Sequence, residues 1–204
     1  MTANQAALII MAKAPEPGLA KTRLIPALGP QGAAALAKRL LAHTIETVRQ
    51  ASQFSRKELC ATPAAHHLAF TGHWPAFVLT QQGEGDLGAR MHGAFERVLA
   101  EFDAAVMIGT DAPAMSAQLL DQAALELDRH DAVFVPALDG GYTLIGLRRL
   151  MPELFVDMPW STDQVMTITR DRLRNKGTRW HEYPPMADID EPPDLLHLPA
   201  GWLP

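Results

Sequence analysis

The chain has 204 residues, of which 48% are hydrophobic and 20% charged, with a net charge of −5. That balance is globular and argues against disorder, and the acidic sign argues against a protein that works by gripping nucleic acid. The single cysteine, Cys60, excludes an intramolecular disulfide framework and a cysteine-rich zinc site, and it suits a reducing compartment. No apolar run approaches the roughly 20 residues that span a bilayer, and no basic stretch precedes the first apolar run as in a secretory leader. One soluble, cytoplasmic domain over residues 1–204 is expected, without membrane contact.

The first element is the apolar run 6–12, a strand buried on both faces of a parallel sheet. The loop Lys13-Ala14-Pro15-Glu16-Pro17-Gly18 must end it, because two prolines and a glycine continue neither strand nor helix. Residues 32–51 place Leu36, Leu40, Leu41, Ile45 and Val48 at helical spacing. Strands are predicted at 58–62 and 76–81, with the histidine-bearing stretch 63–75 unassigned. A turn at Gly83-Glu84-Gly85-Asp86-Leu87-Gly88 precedes a helix over 90–102.

Residues 104–109 form the clearest buried strand, ending at Thr110-Asp111-Ala112-Pro113. Ser116 is the expected N-cap of a helix over 117–128. Residues 131–136 and 142–147 read as a hairpin about Asp139-Gly140-Gly141. Ser161-Thr162-Asp163 are expected to cap a helix reaching residue 175, with Gly177 as its C-cap. A strand over 178–183 and a short helix opened by Asp188 to Asp190 complete the chain. Strands alternating with helices predict an α/β fold, a mostly parallel sheet wrapped by helices.

In open α/β sheets, ligands bind at the carboxyl ends of the strands. Polar residues collect at those ends here. Lys13, Lys21 and Arg23 follow the first strand, the mixture of point charges and forked donors that phosphate recognition uses. Asp111 follows the most apolar strand, where a hard oxygen ligand suits Mg²⁺ or Mn²⁺. Asp188 and Asp190 point one way from an extended segment with Ile189 between them, and either could complete that site. Asp190 could equally cap the last helix. Asp139-Gly140-Gly141-Tyr142 serves as a plain turn or lets backbone approach a ligand. His66, His67 and His73 show no zinc spacing, and Cys60 reads as inert core. No G-x-S-x-G and no G-x-G-x-x-G is present, which disfavours a hydrolase and a Rossmann dehydrogenase.

The run Ile9 to Gly18, then Lys21-Thr22-Arg23-Leu24, resembles a bacterial family of GT-A-like transferases associated with radical-SAM and selenodomain proteins, also described as arsenosugar-biosynthesis-type glycosyltransferases. Further matches are Gly85-Asp86-Leu87-Gly88-Ala89-Arg90-Met91, Gly109-Thr110-Asp111-Ala112-Pro113, Asp139-Gly140-Gly141-Tyr142, Trp160-Ser161-Thr162 and Asp188-Ile189-Asp190. More distantly the chain is similar to phospholactate guanylyltransferase and molybdenum-cofactor nucleotidyltransferases. The departures are Val135-Pro136 before Ala137 and Thr143, each of which could alter the acceptor pocket.

This resemblance implies a GT-A fold, three layers α/β/α about a mixed, mostly parallel sheet. It implies a Mg²⁺ or Mn²⁺ ion held by Asp111 with Asp190 or Asp188. Lys13, Lys21, Arg23, Gly85, Asp86 and Arg90 would face the nucleotide and its phosphates. Asp139, Gly140, Gly141, Tyr142, Trp160, Ser161 and Thr162 would face the acceptor, and Asp111, Lys21 and Asp139 would carry the chemistry. The partners implied are a nucleotide or nucleotide-sugar donor and a small-molecule acceptor. Glycosyl transfer from an NDP-sugar follows the resemblance. Nucleotidyl transfer from an NTP fits the single carboxylate after the central strand and the cationic first loop. Non-catalytic nucleotide binding is a third possibility.

Overall fold

A computed structural model describes residues 5–70 and 74–203. His73 therefore lies outside the described residues. The sheet has seven strands in the order β3-β2-β1-β4-β6-β5-β7. They are β1 (Ala6–Lys13), β2 (Phe54–Thr62), β3 (Val78–Gln81), β4 (Ala104–Ile108), β5 (Ala132–Pro136), β6 (Tyr142–Leu147) and β7 (Trp180–Glu182). All neighbours are parallel except β6, which runs antiparallel to both β4 and β5. The helices are α1 (Ile25–Gln50), α2 (Leu87–Leu99), α3 (Ala117–Glu126) and α4 (Val165–Asn175).

Alternation along β1 creates the two cores. Leu8, Ile10 and Ala12 join Leu41, Ile45 and Leu120 on the α1 and α3 face. Ala7 and Ile9 join Met91, Phe95, Met166 and Leu173 on the α2 and α4 face. Successive side chains of a strand point to opposite faces, so a central strand covered on both sides reads as a continuous apolar run. The expected three-layer architecture is the one present.

Some local expectations need correction. Helix α1 begins at Ile25 rather than residue 32, as two pieces joined at Gly29, whose φ of 68° breaks the helix before Pro30. Helix α2 begins at Leu87, with the Asp86 carboxylate accepting the Ala89 N–H at 2.8 Å. Ser116 caps α3 as expected, accepting from the Leu119 N–H. Ser161-Thr162-Asp163 do not cap α4, whose N-cap is Gln164 without a side-chain bond. Thr162 instead turns back to donate to the Pro159 carbonyl at 2.7 Å. The final helical turn is a 3-10 helix over Pro192–His197 capped by Glu191, not by Asp188 or Asp190. Gly177 takes the left-handed conformation expected after α4, with φ of 62°.

Candidate functional site

A cleft of about 690 Å³ opens over the carboxyl ends of the parallel strands. It is lined by Lys13, Lys21, Arg23, Arg90, Asp111, Asp139, Gly141, Tyr142, Trp160, Ser161, Thr162, Asp188 and Asp190. The fold thus brings together residues that stand almost 180 positions apart in sequence.

At the floor, Lys21 joins two of the carboxylates. Its ammonium lies 2.6 Å from Asp111 Oδ1 and 2.7 Å from Asp190 Oδ1, and donates to the Ile189 carbonyl at 2.5 Å. These contacts occupy the three donors of an ammonium. In this arrangement the ammonium of Lys21, expected among the phosphate ligands, faces carboxylates. Burial pulls its pKa down, but the charges of Asp111 and Asp190 outweigh that and leave it raised. Its backbone sits in the left-handed region at φ 49°, an uncommon conformation for a residue with a side chain.

Ile189 explains how this centre is placed. Its side chain is fully buried among Leu24, Ala33, Leu36 and Leu40. Its N–H donates to the Asp111 carbonyl at 2.9 Å, and its own carbonyl accepts from Lys21. The apolar plug thus pins the segment between two aspartates and turns both toward the cleft. Asp188 has its pKa raised to about 7, by burial first and then by the charges of Asp139, Asp190 and Asp111.

The cleft carboxylates have the donor chemistry for a hard divalent cation. Mg²⁺ is held through one or two carboxylates, with waters and substrate phosphates completing its shell. Asp111 and Asp190, tied to one ammonium, are the pair that fits, and Lys21 must give way if an ion sits between them. Around them Lys13, Arg23 and Arg90 reach the cleft. Arg23 stands 3.8 Å from Glu191 in an exposed pair, and Arg90 Nε donates to the Gly85 carbonyl at 3.0 Å.

The rest of the expected set divides. Asp139 Oδ1 accepts the Gly141 N–H at 2.9 Å, which builds the turn, and the residue lines the cleft. Gly85, Asp86 and Gly140 are not part of the lining. Asp86 caps α2, and Gly85 supplies a φ of 95° and the carbonyl that Arg90 uses. Gly140, at φ 94°, packs so closely that a Cβ would stand 2.3 Å from the Asp163 carbonyl oxygen. Its constraint is the contact with the start of α4, where its carbonyl accepts the Met166 N–H.

Tyr142 and Trp160 form one wall, ring centroids 6.5 Å apart and edge to face. The Tyr142 hydroxyl and Trp160 Nε1 are buried without a partner, and burial raises the Tyr142 pKa. Trp160 packs against Gly88 of α2, where a Cβ would lie 2.8 Å from Nε1. Gln82 was not foreseen. It follows β3, lines the cleft and donates to the carbonyls of Ala12 and Cys60, at 3.2 and 3.1 Å. Its place just past a strand's carboxyl end was the available signal. Cys60 is buried core, and His67 pairs with Glu16 at 3.0 Å, away from the cleft.

A family profile described as "Uncharacterized protein conserved in bacteria (DUF2064)" matches residues 44–162. Curated protein sequences give no match. Among solved structures, a protein provisionally named a nucleotide-diphospho-sugar transferase from Desulfovibrio desulfuricans G20 superposes with a TM-score of 0.86 at 28% identity, over 94% of this chain and 85% of that one. CMP:2-keto-3-deoxy-manno-octonic acid synthetase, solved with CTP, gives 0.60 at 12% identity over 95% and 96%. Rv0371c of Mycobacterium tuberculosis H37Rv, solved with manganese, gives 0.58 at 17% identity over 99% of both chains. The seven-stranded mixed sheet of this chain is the fold of nucleotide-diphospho-sugar transferases.

Proposed function

The chain belongs to the bacterial family DUF2064, and from that premise we propose that it is a divalent-cation-dependent transferase acting on a nucleotide substrate. One observation carries the reading. Asp111 and Asp190, from the ends of β4 and of the segment after β7, meet at one point in a cleft rimmed by Lys13, Arg23 and Arg90. Carboxylates for a cation beside basic side chains for phosphate oxygens is what transfer from a phosphorylated donor needs. A divalent ion held there by Asp111 with Asp190 or Asp188 would neutralise charge on the donor's phosphates.

The first reading is glycosyl transfer from an NDP-sugar to a small acceptor. An acceptor hydroxyl forms the new bond to the anomeric carbon, the bond to the diphosphate breaks, and the nucleoside diphosphate leaves. Asp139 would take the hydroxyl proton. Tyr142, Trp160, Ser161 and Thr162 form the acceptor side, with two unpartnered polar groups in its wall. The resemblance to GT-A-like transferases associated with radical-SAM proteins, and the Desulfovibrio neighbour, support this order.

A second reading is nucleotidyl transfer from an NTP with release of pyrophosphate. It is favoured by the lone carboxylate after β4, where Asp111 is followed by Ala112 and Pro113, so that the second carboxylate comes from the Asp188 to Asp190 segment. The domain extent proposed is the whole chain.

The test is a thermal-shift panel of the four NTPs and common NDP-sugars, with and without Mg²⁺ or Mn²⁺. A ligand that binds only the folded state raises the melting temperature by mass action. Stabilisation by an NDP-sugar but not its NTP supports glycosyl transfer, and the reverse supports nucleotidyl transfer. Asp111→Ala should abolish the metal-dependent shift while keeping the fold. Normal nucleotide and Mg²⁺ binding by that variant refutes the site assignment, and silence across the panel favours non-catalytic nucleotide binding or an acceptor that must bind first.

A further inference from the structure

A second group of metal-ligating side chains lies away from the cleft, beside the first half of β5. Strand β7 pairs with β5 so that His181 stands opposite Val133. Trp180 packs into the core on the α2 and α4 face, while Tyr183 packs against the core on the α1 and α3 face. Two residues before Tyr183, His181 shares its side of the sheet. Glu126 ends α3, and the His130 N–H still donates to the Glu126 carbonyl at 3.0 Å, so the two side chains keep the i,i+4 spacing of a helix face.

The result is convergence. One ligand atom from each of Glu126, His130 and His181 lies within 4.8 Å of the other two, and among the described residues no other group meets that test. His130 Nδ1 stands 3.1 Å from Glu126 Oε2. The two imidazole centroids are 5.6 Å apart. The side chains of His130 and Glu126 are 28% and 30% exposed, open enough for an ion to enter and closed enough to hold it.

We propose that Glu126, His130 and His181 bind a borderline-soft divalent ion, Zn²⁺ foremost, at a site separate from the cleft. Two imidazoles and a carboxylate suit zinc, whereas Mg²⁺ and Mn²⁺ prefer all-oxygen sites such as the cleft aspartates. Ligand atoms of a tetrahedral zinc stand about 3.4 Å apart, a closure that half-buried side chains reach by rotation, and three protein ligands leave the fourth position to water. The ion would tie the end of α3 to β7, a three-residue strand at the sheet edge. Strand β7 is already held on its other face, where Arg170 clasps both oxygens of Glu182 and Trp180 Nε1 donates to the same carboxylate.

The experiment uses the full chain without an affinity tag, stripped by chelator, in calorimetric titrations with ZnCl₂ and with MgCl₂. Diffraction data collected at the zinc edge from zinc-soaked wild-type crystals accompany them. The expected result is one zinc equivalent that excess Mg²⁺ does not displace, with an anomalous peak between the three residues. His181→Gln and Glu126→Gln should each weaken zinc binding by an order of magnitude or more. The proposal is overturned if zinc does not bind, if both folded variants bind it as the wild type does, or if the anomalous peak lies only among the cleft aspartates. The wild-type map decides the matter even if a variant fails to fold.

Discussion

Replacing Lys21 by methionine keeps the aliphatic stem and removes the ammonium that joins Asp111 to Asp190. Both Oδ1 atoms lie within 2.7 Å of that nitrogen. They are therefore about 5 Å apart at most, where two unit charges repel by about 3 kcal/mol at an effective dielectric constant near 20. The two carboxylates are 38% and 39% exposed, so water screens part of that. The expected loss of stability is then about 1–2 kcal/mol, or about 2–8 °C in melting temperature for a chain of this size. The assay is a thermal melt in EDTA, repeated with millimolar Mg²⁺. Without the competing ammonium, the aspartate pair should take the cation more readily, so Mg²⁺ should restore more stability to the variant than it adds to the parent. If the variant melts with the parent in EDTA, or if Mg²⁺ raises both equally, the two carboxylates are not a cation-holding pair governed by Lys21.

Other contacts lead to sharper structural tests. Gly140→Ala would push a Cβ to within 2.3 Å of the Asp163 carbonyl at a φ of 94°, and should cost about 2 kcal/mol or more in urea unfolding. An unchanged midpoint would show that the turn does not press on α4 as described. Glu58 is fully buried, clasped by both terminal nitrogens of Arg97 and by the Thr80 hydroxyl. Glu58→Gln should cost about 3 kcal/mol in the same assay, the lower end of the range because Arg97 is partly solvated; a loss under about 1 kcal/mol would refute a tightly coupled network. Arg170, and then Trp180, hold the Glu182 carboxyl below its ordinary value of 4.5. A depressed folded pKa contributes stability that is complete above 4.5 and is lost as pH falls below it. Glu182→Gln should therefore flatten the acid limb of melting temperature against pH, and an acid limb of unchanged slope would assign that loss to other groups.

The parts of this protein that are legible in the chain are local ones. The run from Ala6 to Ala12 must be a doubly covered strand because it is apolar at every position, and Ser116 stands where a helix needs a cap. The order of strands and helices follows from hydrophobic period and from Gly and Pro punctuation. The candidate cleft was also legible, since polar residues just past the strands gather at one end of a parallel sheet. Local chemistry misled where two roles compete for one residue. Asp190 has the look of a helix cap but pairs with Lys21, and Glu191 takes the cap instead.

What the chain alone could not disclose depends on pairing across long separations. Lys21 reads as a phosphate ligand because its neighbours are cationic and in a loop. Only the burial of Ile189 beneath α1 carries Asp190, almost 170 residues away in sequence, onto its ammonium. The Glu126, His130 and His181 group is likewise invisible as a motif, because the two histidines stand 51 positions apart and only the parallel seating of β7 on β5 brings them together. Local propensity is written in neighbouring residues, whereas the partner of a charged side chain is set by strand order and core packing, which arise only when the whole sheet has closed.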